Sequence, residues 1–136
     1  MQALPFAGSM GEVQPRCVIV DDDDVFIDAA RALLEGQGVA VVGAAGSCAE
    51  AVDRATALAP DVVLIDIRLS QESGFDAAQQ LAARGPAAAL IMISADRGAD
   101  YADLIEQGPA IGFLAKTDIS AGAIDRLLGQ HRLGQR

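Results

Sequence analysis

Four short apolar runs in this sequence end in residues that can handle a charged group. Cys17-Val18-Ile19-Val20 leads into Asp21 and Asp22, Val62-Val63-Leu64-Ile65 into Asp66, Leu90 to Ile93 into Ser94, and Ile111 to Ala115 into Lys116. Three carboxylates brought together repel one another and shift their own ionisation unless a cation sits among them. These run ends carry no His or Cys, and His131 lies far off near the C-terminus. An all-oxygen donor set of this kind suits a hard divalent ion, magnesium or manganese, which takes one or two carboxylates, keeps several waters and accepts a phosphate oxygen. An Asp66 oxygen can then attack an in-line phosphorus while the ion neutralises charge on the transferring group. Lys116 adds a point charge on a second phosphoryl oxygen, and Ser94 offers a hydroxyl hydrogen bond to a third.

Taken singly, these residues say little. A Lys after a strand is ordinarily solvated, and a Ser there ordinarily caps a helix or forms a turn. Within the run Asp21 to Asp24, Asp23 and Asp24 are equally well explained as N-capping residues of a following helix. Asp66 is harder to explain structurally, because a carboxylate closing an apolar strand has no helix directly after it to cap. The coincidence of all four run ends carries the argument.

The elements that position them follow from hydrophobic pattern. The apolar runs are those of strands covered on both faces, and helical stretches separate them, which predicts five strand–helix units around a parallel sheet in an α/β fold. The second strand is expected over Val39–Val42. The first helix should carry Phe26, Ala29, Ala30, Leu33 and Leu34 on one stripe and stop at Gly36 and Gly38. Ser47 and Glu50 form a capping box for a helix reaching Leu58. Further helices are expected from Gly74 through Leu81, from about Asp100 to Glu106, and from a cap at Ser120 through Leu128. In open parallel sheets ligands bind beyond the carboxyl ends of the strands, where the chemistry-bearing residues here collect. Residues 1–15, with Pro5, Gly8, Gly11 and Pro15 and no periodicity, read as a flexible leader, 16–129 as one domain, and 130–136 as a frayed tail.

Composition narrows the class. The chain has 136 residues, 51% of them hydrophobic, enough for one domain with its own core. A net charge of -9 with only ten Lys and Arg argues against direct nucleic-acid binding. No apolar run reaches the roughly 20 residues of a membrane span, and the N-terminus has no signal-peptide pattern. Cys17 and Cys48 read as free, buried thiols of a reducing compartment, so a cytoplasmic location is expected.

The segments VIVDDDD, DVVLIDIRLSQESGFD, IMISAD and GFLAKTD, with 44 residues from Asp22 to Asp66 and 22 from Ser94 to Lys116, resemble the receiver domains of two-component response regulators. The match runs from about Arg16 to Leu128. The resemblance implies a flavodoxin-like (βα)5 three-layer sandwich with strand order 2-1-3-4-5, and Asp66 as phosphoacceptor. It makes Asp22, Asp66 and the backbone carbonyl of Arg68 direct metal ligands, with Asp21 acting through a metal-bound water. It gives Ser94 and Phe113 the switch positions, and Ala95 the small position that leaves room for the phosphoryl group. The expected donor is a sensor histidine kinase or a histidine phosphotransfer protein. The expected output is a downstream protein or an attached output domain, and homodimerisation can follow phosphorylation. Such a domain is a signalling phosphoacceptor rather than an enzyme, catalysing at most its own phosphotransfer and dephosphorylation.

Two positions depart from the family pattern, which usually has proline where this chain has Ser70 and Thr117; these substitutions are expected to alter loop rigidity and kinetics, not to abolish activity. Asp21 and Asp23 also have the two-residue spacing of haloacid-dehalogenase phosphatases, but that family usually follows its nucleophile differently and needs a longer chain. A flavin-binding relative of the same fold would want a Ser/Thr/Gly-rich loop where four aspartates stand. A receiver-like docking module that works without phosphorylation is the remaining alternative.

Overall fold

The computed structural model describes residues 14–96 and 101–134. In chain order its elements are β1 (Arg16–Val20), α1 (Asp24–Gly36), β2 (Ala40–Ala45), α2 (Cys48–Leu58), β3 (Val62–Asp66), α3 (Gly74–Arg84), β4 (Ala89–Ser94), α4 (Ala102–Gln107), β5 (Gly112–Ala115), a 3-10 turn (Lys116–Asp118) and α5 (Ala121–Gly134). The strands form one parallel sheet in the order β2-β1-β3-β4-β5, the flavodoxin-like topology of receiver domains.

Side chains alternate across the sheet and build two cores. Val18, Val20, Val63, Ile65 and Met92 face α2 and α3, packing on Ala51, Ala55, Ala77, Ala78 and Leu81. Cys17, Ile19, Leu64, Ile91 and Ile93 share the opposite core with Ile27, Ala30 and Leu34 of α1 and Ile124 of α5. Every residue of β3 is buried, so it is the central strand whose apolar run the sequence makes continuous. Fully burying one such Val, Leu or Ile stabilises the fold by roughly 1.5–3 kcal/mol.

The α1 stripe differs from the expected one. Ile27, Ala30 and Leu34 are buried, whereas Ala29 and Leu33 are exposed. Steps of three and four residues keep a helix face aligned, so a stripe centred on Ile27, Ala30 and Leu34 puts Ala29 and Leu33 on the far side.

Strand β2 also continues past Val42 to Ala45, with Gly43 opposite Val18, Ala44 opposite Ile19 and Ala45 opposite Val20; a register shift between Cys17 and Val18 leaves Val42 as an extra residue. Pairing with a buried neighbour overrides the poor strand propensity of Gly and Ala there. A Cβ on Gly43 would lie 2.6 Å from Leu58 Cδ1, so the missing side chain lets α2 approach the sheet.

Ser47 Oγ accepts from Glu50 N–H at 3.2 Å, while the Glu50 carboxylate accepts from Gly46 N–H at 2.8 Å, one residue before the partner a strict capping box would use. Ser120 Oγ caps α5 through Ala123 N–H at 3.0 Å. That helix continues to Gly134 rather than ending at Leu128, because Gly129 is followed by no proline and by residues that tolerate helix. Of the leader expected over 1–15, residues 1–13 lie outside the described residues, as do Asp100 at the expected start of α4 and residues 135–136 of the tail. Pro15 already joins the sheet, its carbonyl accepting from Ala40 N–H at 2.8 Å.

Candidate functional site: an acidic pocket with a bridging lysine

Asp21, Asp22 and Asp66 each offer a carboxylate oxygen, and these atoms lie within 4.8 Å of one another. The first two follow β1 and the third ends β3, its neighbour in the sheet, so the topology brings residues 44 and 45 positions apart to one edge. Asp21 is 1% exposed and Asp66 8%, whereas Asp22 stands in solvent.

Local backbone geometry holds each one. Asp21 N–H still bonds Ala45 O at 2.9 Å, and Asp21 Oδ1 accepts from Asp23 N–H at 2.9 Å, a turn in which the side chain mimics backbone. Asp23 is the N-cap of α1, its Oδ1 accepting from Val25 and Phe26 N–H at 3.0 and 3.3 Å. Asp24 is the first residue of the helix and exposed. Asp66 Oδ1 accepts from Arg68 N–H at 3.0 Å.

Lys116 closes the pocket from the end of β5. Its Nζ is 2.6 Å from Asp21 Oδ2 and 3.0 Å from Asp66 Oδ2, and it lies 4.2 Å from the centroid of the Phe26 ring. Asp21 Oδ2 is buried and meets the Lys116 ammonium as an ion pair.

The charges respond accordingly. Burial pushes the Asp21 carboxyl above its ordinary value, more than Lys116 and the Asp23 amide pull it down, and the Asp66 charge adds to the rise. The Ser70 hydroxyl holds Asp22 below the usual carboxylate range. Burial alone would lower the Lys116 ammonium, but its bonds to Asp21 and Asp66 outweigh that and raise it.

Three clustered carboxylates offering an all-oxygen donor set fit a hard divalent cation.

Ser94 is the last residue of β4, one position beyond Ile93, which pairs with Asp66. It is 5% exposed, and its Oγ accepts from Asp96 N–H at 3.1 Å. Ala95 after it is exposed. Phe113 pairs with Met92 in the sheet and packs half-buried against the α2–α3 core. It stands on the far side of β4 from the acids.

The β3–α3 segment is shaped by Gly74, where a Cβ would come within 1.9 Å of the Asp66 carbonyl oxygen. Only glycine lets Gly74 N–H reach Ile67 O, at 2.7 Å, and draw the loop against the phosphoacceptor candidate's own backbone.

Several contacts were not legible in the sequence. The Ser70 hydroxyl donates to Asp22 Oδ2, Phe26 stacks under Lys116, and the Arg68 side chain turns outward to donate to Tyr101 Oη at 3.0 Å. Each joins residues far apart in the chain.

Residues 17–125 match the family model of the response regulator receiver domain. The chain is 32% identical over 104 residues to the transcriptional regulatory protein PdtaR of Mycobacterium tuberculosis, covering 75% of this chain and 50% of that protein. It is 37% identical over 110 residues to the nitrate/nitrite response regulator protein NarP of Escherichia coli, covering 79% and 51%. The chain thus spans about half the length of these curated relatives. Among solved structures it is similar to the signal receiver domain of the putative response regulator NarL from Mycobacterium tuberculosis, with a TM-score of 0.72 and 31% identity, covering 85% of this chain and 98% of that one. Matched over most of its length, with the family's sheet order beneath its acidic pocket, the chain belongs to the receiver domains of two-component response regulators.

Proposed function

We propose that Asp66 is the phosphoacceptor of this receiver and that Asp21, Asp22, Asp66 and the Arg68 carbonyl hold a magnesium or manganese ion beside it. The observation that carries this reading is Lys116 bridging two buried carboxylates within a cluster of three.

In the reaction, an Asp66 carboxylate oxygen forms a bond to phosphorus as the phosphorus–nitrogen bond of a donor phosphohistidine breaks. The electron pair leaves with the imidazole. Bound magnesium supplies positive charge against the transferring phosphoryl oxygens. Lys116 exchanges its contact with Asp66 for a phosphoryl oxygen and Ser94 turns its hydroxyl to another, while Asp21 would help to hold the ion. Ala95 leaves space for the group and for the water that later hydrolyses it.

The signal leaves through packing. Movement of Ser94 toward the phosphoryl group vacates space behind β4, into which Phe113 can rotate, altering the α4–β5–α5 surface. Helix α4 has no fully buried residue and no side-chain cap, which makes it the easiest element of that surface to displace. The expected setting is the cytoplasm, with a histidine kinase or phosphotransfer protein as donor. The signalling unit runs from the residue before β1 through α5. Its output passes to a separate protein or to an attached domain, as the names and lengths of the transcriptional relatives suggest.

Intact-protein mass spectrometry after incubation with acetyl phosphate tests the reading. A phosphoryl-sized gain that requires magnesium and vanishes in Asp66→Asn supports it. No gain under any condition leaves a docking module that works without phosphorylation, and an equal gain in both proteins moves the nucleophile elsewhere.

A further inference from the structure

Of the three clustered carboxylates, Asp22 alone stands in solvent, yet it is not loose. Its side-chain partner is Ser70, whose hydroxyl donates to Asp22 Oδ2 across 48 positions of sequence. Ser70 is itself held in a tight turn. Leu69 N–H bonds Glu72 O at 3.0 Å and Glu72 N–H bonds Leu69 O at 3.3 Å. Glu72 Oε1 accepts from Cys48 N–H at 2.8 Å, fastening the turn to the start of α2. Gly74 N–H to Ile67 O closes the same segment at its base. The hydroxyl is therefore presented by a backbone already ordered, and little freedom is lost when it orients the carboxylate.

We propose that Ser70 is a positioning residue that pre-sets Asp22 for a divalent cation, by holding one of its oxygens and so fixing the carboxylate beside Asp21 and Asp66. This rests on the metal-binding reading above. Groups that hydrogen-bond a ligating carboxylate fix its orientation, and their loss typically weakens metal binding by about 10–100-fold. Proline, the residue usual at this position in the family, has no hydroxyl to offer, so the device belongs to this chain's own sequence.

Calorimetric titration of the full chain with magnesium chloride tests it, using the native protein, Ser70→Ala, Ser70→Thr and Ser70→Pro, each first checked for a native circular dichroism spectrum. Ser70→Ala and Ser70→Pro are expected to bind magnesium about tenfold or more weakly. Ser70→Thr, which keeps the hydroxyl, is expected to bind like the native chain. Native-like affinity in Ser70→Ala, or affinity in Ser70→Thr as weak as in Ser70→Ala, overturns the positioning role while leaving the metal site intact. A native chain that takes up no magnesium overturns both the role and the metal site.

Discussion

Lys116 Nζ sits 3.0 Å from Oδ2 of Asp66, where it neutralises a carboxylate that the sheet has almost removed from water. The same ammonium serves Asp21, so one cation offsets two buried anions. Removing one partner of such a group is costly, typically about 3–5 kcal/mol for a fully buried pair and less here, where Lys116 is partly open. Lys116→Met is accordingly expected to lower the thermal midpoint measured without divalent ions. Added magnesium should stabilise the variant more than the native chain, because it replaces the missing charge. An equal magnesium-induced shift in both proteins counts against that compensation.

Gly74→Ala places a methyl group where the Asp66 carbonyl oxygen stands. The loop has to retreat, and overpacking of this kind typically costs about 1–3 kcal/mol. The expected result is a lower urea midpoint together with slower phosphorylation by acetyl phosphate. Gly36→Ala, with open space around its added methyl at the end of α1, serves as the control that should neither lower the midpoint nor slow phosphorylation.

Burial pushes the Cys17 thiol up to about 12 from its ordinary value of 9.0. Between those values the unfolded chain has lost this proton while the folded chain keeps it, so the folded state binds more protons and stability falls as pH rises. Urea midpoints at pH 8 and pH 10.5 should drop more for the native chain than for Cys17→Ala. Alkylation of Cys17 by iodoacetamide should likewise wait for unfolding.

Thr117 is exposed and lies within the 3-10 turn that Lys116 opens. A proline at 117 pushes the residue before it out of helical geometry, so Thr117→Pro should shift the Lys116 backbone. We expect phosphorylation by acetyl phosphate to persist at an altered rate. Complete loss in this variant would contradict that expectation.

Legibility in the sequence followed the strength of the physical signal. The buried strands β1, β3 and β4 read directly, since a strand covered on both faces needs an unbroken apolar run, and their polar end residues stood out against it. The clustering of Asp21, Asp22, Asp66 and Lys116 at one edge follows from that reading once the sheet order is set. Strand β2 past Val42 was hidden because Gly43 to Ala45 carry no strand signal of their own and are held by β1. The outward turn of Ala29 and Leu33 was lost because an apolar helix offers more than one plausible stripe. Ser70 could be noted only as a missing proline, because its partner is set by how two loops meet in space.

The sheet's two borders also bear on how this chain behaves in a crowd. One border is β2, whose regular ladder is interrupted at the extra residue Val42, and the other is β5, only four residues long. A neighbouring chain seeking to add a strand needs a long, even row of unpaired backbone groups, and neither border provides one. Self-association by strand addition is thereby discouraged.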